Sequence, residues 1–551
     1  MAPPVTYGQS GERSIEVAVG GDLSLGNRMN AFIARHGPAG VLADQVPELR
    51  GADLAIVNLE SVVSEHGVQG VETGQVSPIY LRARPETLAV LEEAGIDAVV
   101  TANNHAGDYG PEALLESLGY LDRMGIAHSG SGPDMSEACE PAYLSAGGLR
   151  IALFSVDTTQ PRYAATAETA GTCSIDAADR GAWERTFGGL IAEARDRANV
   201  VLFYTQWGPN FATSPTRQTR ELARTIVKMG ADAIIGVNAH RIQGIEIVDG
   251  RPVIYDTGTF LFDFPQPDDA VLWTLTLTER GVERAAARPL VSDPGRTRAA
   301  DAEEAQRILG VLDERSAALD TDLEDGAVAL HPDARPGPTI VPPSAGPAAG
   351  IAPSPSSDPP PECVVDALPA DVTPLDVPLG SIRLIGAGIE PESLSGPALI
   401  WAHTYWTVDE PVSADYWLAP RAYPSGAGLG AWGDPHEACD WRWPSDRWKP
   451  GVIYVDRYPL RPADSILQLG GLPALVAGGF SEPLEIRIGV EVDSRLVGES
   501  SVVARVFVSP PLLLQAALTG FAAAIAIGFA AVLLVVRRRR RRRGRRAQGA
   551  A

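Results

Sequence analysis

Lysine is nearly absent from this 551-residue chain, which has only Lys228 and Lys449. Acidic residues outnumber basic ones, 69 to 46, for a formal net charge of −23. Nine of the arginines crowd into the last fifteen residues, so the remainder is more acidic still. A chain without a basic face is a poor partner for nucleic acid, and that class of function is excluded. Cysteine is also scarce. Cys139, Cys173, Cys363 and Cys439 form no CxxC pair and no Cys/His zinc spacing. HExxH, GxSxG and GxxxxGK[ST] are missing, which removes the common zinc-protease, serine-hydrolase and P-loop readings. The opening "MAPPVTYGQSGERSIEV" lacks the apolar core of a secretory signal.

One long apolar run is present. Residues 511–536, "PLLLQAALTGFAAAIAIGFAAVLLVV", carry no charge and are followed at once by "RRRRRRRGRR". At 1.5 Å per residue such a helix spans roughly 39 Å, enough to cross a bilayer with some tilt. Arginines beside a span stay on the cytoplasmic side. The expectation is a single-pass cell-membrane protein with its bulk extracytoplasmic and residues 537–551 as a cytoplasmic tail. An exported bulk needs a leader, so a start upstream of Met1 is expected.

Eleven prolines between 332 and 361 mark an extended linker, placed at 331–362. It divides an α/β region, 13–325, from a β-rich region, 363–509. The first alternates strands such as "SIEVAVGGD", "ADLAIVNLE", "IDAVVTANNH" and "NVVLFYTQWG" with helices such as "GPEALLESLGYLDRMG" and "TRQTRELARTIVKMG". That alternation predicts an α/β sandwich. The second holds short strands between Pro, Gly and Asp turns and seven of the ten tryptophans. It predicts an antiparallel β-sandwich whose tryptophans pack the core. The cysteines fall two and two across the linker, which predicts Cys139–Cys173 and Cys363–Cys439 in an oxidising compartment.

Chemistry-bearing residues gather where strands end: Asp22, Glu60, Asn103-Asn104-His105, Gln206, Asn238 and His240. Ligands in α/β folds bind beyond the carboxyl ends of strands. Carboxylate, amide oxygen and imidazole together make a mixed oxygen/nitrogen metal site, and His105 is placed to protonate a leaving oxygen. The stretches "AGIDAVVTANNH" (94–105) and "MGADAIIGVNAH" (229–240) echo one another and finish in the same polar residues.

In order, "GD" (21–22), "NLE" (58–60), "NNH" (103–105), "WG" (207–208), "H…Q" (240–243) and "IYDTGTFLF" (254–262) resemble the bacterial capsule-synthesis CapA family of poly-γ-glutamate biosynthesis. That family is similar in fold to calcineurin-like metallophosphoesterases. The resemblance covers roughly residues 13–280. It implies Asp22 and Glu60 as acidic metal ligands, Asn104 as an amide ligand, His240 as an imidazole ligand and His105 as general acid. Gln206 stands where the family has the His of His-Trp-Gly. Asn238 stands where it has the first His of His-Pro-His, and Thr259 replaces the Asn of Gly-Asn-Phe. Gln206 and Asn238 are thus altered ligands. The implied cofactor is a divalent metal (Mn, Mg, Zn or Fe), weakly held or absent. Two functions follow: a membrane-anchored phosphoesterase-type hydrolase of capsule or envelope polymer biosynthesis, or a catalytically degenerate binding and assembly protein. The implied partners are an anionic envelope or capsule polymer and its membrane synthesis machinery.

Overall fold

The computed structural model describes residues 13–70, 79–332, 350–390, 393–395, 400–424, 431–432, 435–460, 484–492, 495–500 and 503–509. The predicted span 511–536 and the arginine tail lie outside the described residues. Among the described residues, no helix is long and apolar enough to cross a membrane. The chain divides into two compact units, at Pro360/Pro361.

The first unit is built on two sheets rather than one. The larger runs Arg296–Ala299, Gly281–Asp293, Asp268–Thr278, Ser14–Leu23, Leu54–Leu59, Ala98–Val100, Ala127–Ser129. The second runs Ile245–Val248, Arg251–Ile254, Ala233–Val237, Val200–Gln206, Leu149–Asp157, Ala142–Ala146. The stretch "RPVIYDTGTFLF" therefore does not add to a single sheet. Arg251–Ile254 belongs to the second, while Thr259–Leu261 pairs in parallel with the end of Ser14–Leu23 in the first. The turn at Asp256–Gly258 carries the chain between them.

Side-chain alternation explains the layering. Along Ser14–Leu23, Ile15, Val17 and Val19 face a core shared with Leu153, Leu202 and Ile235 of the second sheet. Ala18 and Leu23 face the opposite way, onto Met29, Ile33, Leu118 and Leu121 of the helices Arg28–His36 and Gly110–Met124. The outer face of the second sheet packs on Trp183, Phe187, Leu222 and Ile226 of Arg180–Arg197 and Arg217–Met229. The result is a four-layer α/β/β/α sandwich with polar residues left for the strand ends. Cys139 and Cys173 are bonded, as the sequence predicts, within the outer core of the second sheet.

The second unit is a β-sandwich. Its five-stranded sheet runs Val364–Val365, Ile453–Leu460, Ile400–Thr407, Ile382–Glu390, Thr373–Leu379. The other centres on Leu484–Val492 and Trp417–Pro424. One core joins both, with Leu384, Trp406 and Tyr454 from the first and Leu418, Ile486 and Ile488 from the second. Trp406, Trp443 and Trp448 are buried in it, beside the Cys363–Cys439 bond.

Candidate metal centre

The two sheets bring the ends of their parallel strands to one place. Asp22 ends Ser14–Leu23, and Glu60 follows Leu54–Leu59. Gln206 ends Val200–Gln206, and Asn238 and His240 follow Ala233–Val237. The echoed stretches behave alike. Each leaves its helix through a glycine of positive φ, Gly95 or Gly230, and enters a strand. One strand lies in each sheet, so the two copies deliver polar residues from opposite layers. The third strand, Ala98–Val100, is shorter than predicted. Thr101 still bonds the neighbouring strand at Ser129, but beyond it the Ala102 and His105 amides go to the Ser155 and Asn103 side chains and those of Asn103, Ala106 and Asp108 to carbonyls within the stretch, so the chain turns.

The glycine before Asp22 is a steric requirement. A Cβ on Gly21 would stand 2.2 Å from Thr257 Oγ1 and 2.3 Å from the Gly258 carbonyl oxygen. Strand pairing shifts register between Val19 and Asp22. The Tyr204 hydroxyl contacts the Gly20 and Ile56 carbonyls there, each at 3.2 Å.

Asp22, Glu60 and His240, all buried, each offer a ligand atom within 4.8 Å of the others. His240 Nδ1 stands 3.0 Å from Asp22 Oδ2 but off the hydrogen-bond axis, and has no hydrogen-bond partner. Glu60 Oε2 is likewise buried without one. Atoms that meet without bonding one another face a common point. Burial, and next the charge of Asp22, push the Glu60 carboxyl well above its ordinary range. The same two causes raise Asp256. Buried carboxylates crowded in this way call for a cation. Two carboxylates and one imidazole, with open positions for water or substrate, fit a divalent metal.

His240 is held at φ 53 and Asn238 at φ 104, both in the left-handed region. Such strain persists only where the surroundings enforce it. Here Asp256 accepts from Ala239 N at 2.7 Å and from Gly258 N at 2.8 Å, and Asp22 accepts from Asn238 N at 3.2 Å. Phe262 and Phe264 pack edge-on to the His240 ring, and half-exposed Phe211 flanks it.

The amide residues form a second group beside the first. Gln206 Nε2 contacts Glu60 Oε1 at 3.1 Å, Asn238 Oδ1 at 3.0 Å and Asn104 Oδ1 at 2.5 Å. Asn238 Nδ2 donates to the carbonyls of Trp207 and Gly208, which turns its oxygen toward Gln206. Asn104, Gln206 and Asn238, the amide candidates of the sequence, thus bond one another beside the Asp22–Glu60–His240 cluster. They sit next to it and share Glu60.

His105 Nδ1 lies 2.6 Å from Asp108 Oδ2, and that carboxylate also accepts from Leu81 N and the Tyr163 hydroxyl. Burial raises the Asp108 carboxyl, with His105 opposing. Asp108 thereby fixes the ring through Nδ1 and leaves Nε2 for chemistry.

Sequence reasoning missed Asp256, Asp108 and Asn58, and placed Asn103 at a strand end without giving it a partner. Asn58 Nδ2 donates to Asp22 Oδ1 at 2.8 Å and to Gln206 Oε1 at 3.1 Å. Asn103 Nδ2 donates to Asn58 Oδ1 and to the Leu59 carbonyl. Asn58 and Asp256 sit inside "NLE" and "IYDTGTFLF", so their motifs were visible while their roles were not.

Residues 16–264 match the family described as bacterial capsule synthesis protein PGA_cap. The chain is 27% identical over 274 residues to the PGA biosynthesis protein CapA of Bacillus subtilis, covering 49% of this chain and 70% of that one. It is 25% identical over 268 residues to the capsule biosynthesis protein CapA of Bacillus anthracis, covering 47% and 63%. It is 24% identical over 225 residues to a probable polyglutamine synthesis accessory protein of Mycobacterium tuberculosis, covering 40% and 58%.

Proposed function

We propose, from the membership of residues 16–264 in the CapA capsule-synthesis family, that this chain is a cation-dependent phosphoesterase-type hydrolase of an anionic capsule or envelope polymer. The observation that carries this reading is the convergence of Asp22, Glu60 and His240, with Glu60 Oε2 and His240 Nδ1 buried and unbonded. These three residues would hold a divalent metal. When bound, such a metal makes its water acidic near neutral pH and polarises a phosphoryl oxygen. His105, oriented by Asp108, gives a proton from Nε2 to the leaving oxygen. Asp256 holds the Ala239 and Gly258 amides and so fixes the His240 loop. Phe262 and Phe264 screen the imidazole from water.

A second reading is binding or assembly without turnover. The neutral amide of Gln206 beside Glu60 favours it, because it supplies no charge for a developing phosphoryl anion. Elemental analysis of the purified full-length protein, paired with an aryl-phosphodiester assay, separates the two. Bound metal with turnover that Asp22→Asn abolishes supports the hydrolase. Bound metal without turnover supports the binding protein. A protein that takes up no metal refutes the hydrolase and leaves the binding and assembly protein.

The proposed setting is the cell membrane, with residues 511–536 as anchor and the synthesis machinery as neighbour. The support is the uncharged run and the arginines after it. Protease added to intact spheroplasts is expected to digest both folded units. Protection of both would refute the topology.

A further inference from the structure

The Gln206 contacts are unusual in number. One amide nitrogen meets three oxygens, those of Glu60, Asn104 and Asn238, and it carries only two hydrogens. Reversing the amide would set its oxygen against the same three acceptors, which is worse. The orientation is also fixed from the other side, where Asn58 Nδ2 donates to Gln206 Oε1. Asn238 cannot turn away, because its own nitrogen is committed to two carbonyls. A ring of three oxygens around a partial positive charge is the environment of a hard cation.

Glu60 joins this ring to the cluster next to it. Its Oε1 meets the Gln206 nitrogen, its Oε2 has no hydrogen-bond partner, and the carboxylate lies within 4.8 Å of ligand atoms of Asp22 and His240. One carboxylate thus serves two positions. The side toward Asp22 and His240 has ligand atoms of which Glu60 Oε2 and His240 Nδ1 have no hydrogen-bond partner. The side toward Asn104 and Asn238 has ligand atoms and an amide among them.

We propose that the centre takes a single divalent cation, and that the Gln206 amide is a built-in substitute for a second, occupying a three-oxygen seat formed by Glu60, Asn104 and Asn238. The inference rests on the reading of Asp22, Glu60 and His240 as cation ligands. It adds that this centre is mononuclear by construction. Gln206 fastens the bridging carboxylate from one side, and the chain gains a rigid centre without a second ion. Fine discrimination among cations is then left to Asp22, His240 and the unbonded oxygen of Glu60.

The test uses the purified full-length protein, stripped of metal and titrated with Mn²⁺. Stoichiometry is read by native mass spectrometry, and coupling between ions by electron paramagnetic resonance. The unmodified chain is expected to bind one Mn²⁺ with an uncoupled spectrum. Gln206→Glu replaces the amide nitrogen with a fourth oxygen, and is expected to bind two with a spin-coupled spectrum. Gln206→Ala opens the seat to water and is expected to gain a second, weaker equivalent. A thermal melt guards against misfolding: metal-free Gln206→Glu should melt below the unmodified chain and gain more on adding Mn²⁺. Two coupled ions in the unmodified chain would overturn the inference and leave the metal reading intact. One ion in all three proteins would do the same. No ion in any of them would overturn the metal reading and this inference with it.

Discussion

Single side chains decide the geometry of this centre, and Tyr204 shows how. Its hydroxyl comes from the second sheet and reaches two carbonyls of the first, Gly20 and Ile56, at the point where strand register shifts. Burial, and next the charge of Asp22, push this phenol well above its ordinary range, so it stays a donor. Tyr204→Phe removes the donor that those buried carbonyls share. The expected cost is roughly 1–3 kcal/mol in denaturant unfolding, with metal affinity reduced because Asp22 is two residues from Gly20. His105 offers a contrasting case. Asp108→Asn keeps the ring's neighbour but alters its tautomer and charge. Turnover, where measured, should fall about 10²- to 10⁴-fold, with Mn²⁺ stoichiometry unchanged. Loss of the metal in that variant would show that Asp108 supports the ligand set rather than the imidazole. At this scale the sequence was readable where charge or aromaticity marks a residue. Asp22, Glu60 and His240 stood out at strand ends and meet in space. Gln206 and Asn238 also stood out by position, but that their amides bond one another did not. Amide orientation depends on neighbours distant in sequence, such as Asn58 and Gly208, and a linear pattern does not carry that.

At the scale of elements, the helix Arg217–Met229 is tied to the strand Ile245–Val248 by charge. Arg220 forms a two-bond fork with the Glu246 carboxylate at 2.8 and 3.0 Å, and Arg224 adds a third bond at 2.8 Å. Burial opposes the charge on Glu246, but hydrogen bonds from Arg220 and Tyr255 outweigh it, and the carboxyl lies below its ordinary value of 4.5. A carboxylate lowered in the folded state contributes stability above its unfolded pKa and loses it as pH falls through the folded one. Glu246→Gln is therefore expected to cost roughly 1–3 kcal/mol at pH 7, since both arginines are partly exposed. The gap from the unmodified chain should close as pH falls below about 4. A gap that widens in acid would contradict the assignment. Elements of this kind were legible from their punctuation. Gly125 and Gly230 end their helices as predicted. "RPETLAVLEEAG", which reads as one helix with Pro85 in its first turn and Gly95 as its stop, was less so. It is a 3-10 turn, Pro85–Leu88, leading into the helix Ala89–Ala94. That the strands form two sheets was not legible, because a buried strand has the same apolar composition in either.

Across the whole molecule, the two disulfides close loops with sequence separations of 34 and 76, one in each unit. In the chain-entropy account each contributes roughly 2–4 kcal/mol. Reduction should lower the thermal midpoint of both units, and non-reducing mass mapping should find no bridge between them. The pairing was readable from the split of four cysteines across the proline-rich stretch. The division itself follows from composition, which changes where the prolines accumulate.

One pairing in the larger sheet also sets a timetable. The strand carrying Asp22 is central, and its antiparallel neighbour is Asp268–Thr278, with Ser14 opposite Thr278. A ribosome needs on the order of 10–50 s to make the chain between them. For that interval the strand has an open edge and an apolar face, and contacts so distant in sequence slow the search for the native state. An open, apolar strand edge is also the feature most prone to pair with another chain. The centre therefore cannot exist on a partial chain. Asp22 gains its partners only when Asn238, His240 and the strand ending at Thr278 have been made, so binding of the proposed cation would report that the chain has been completed that far.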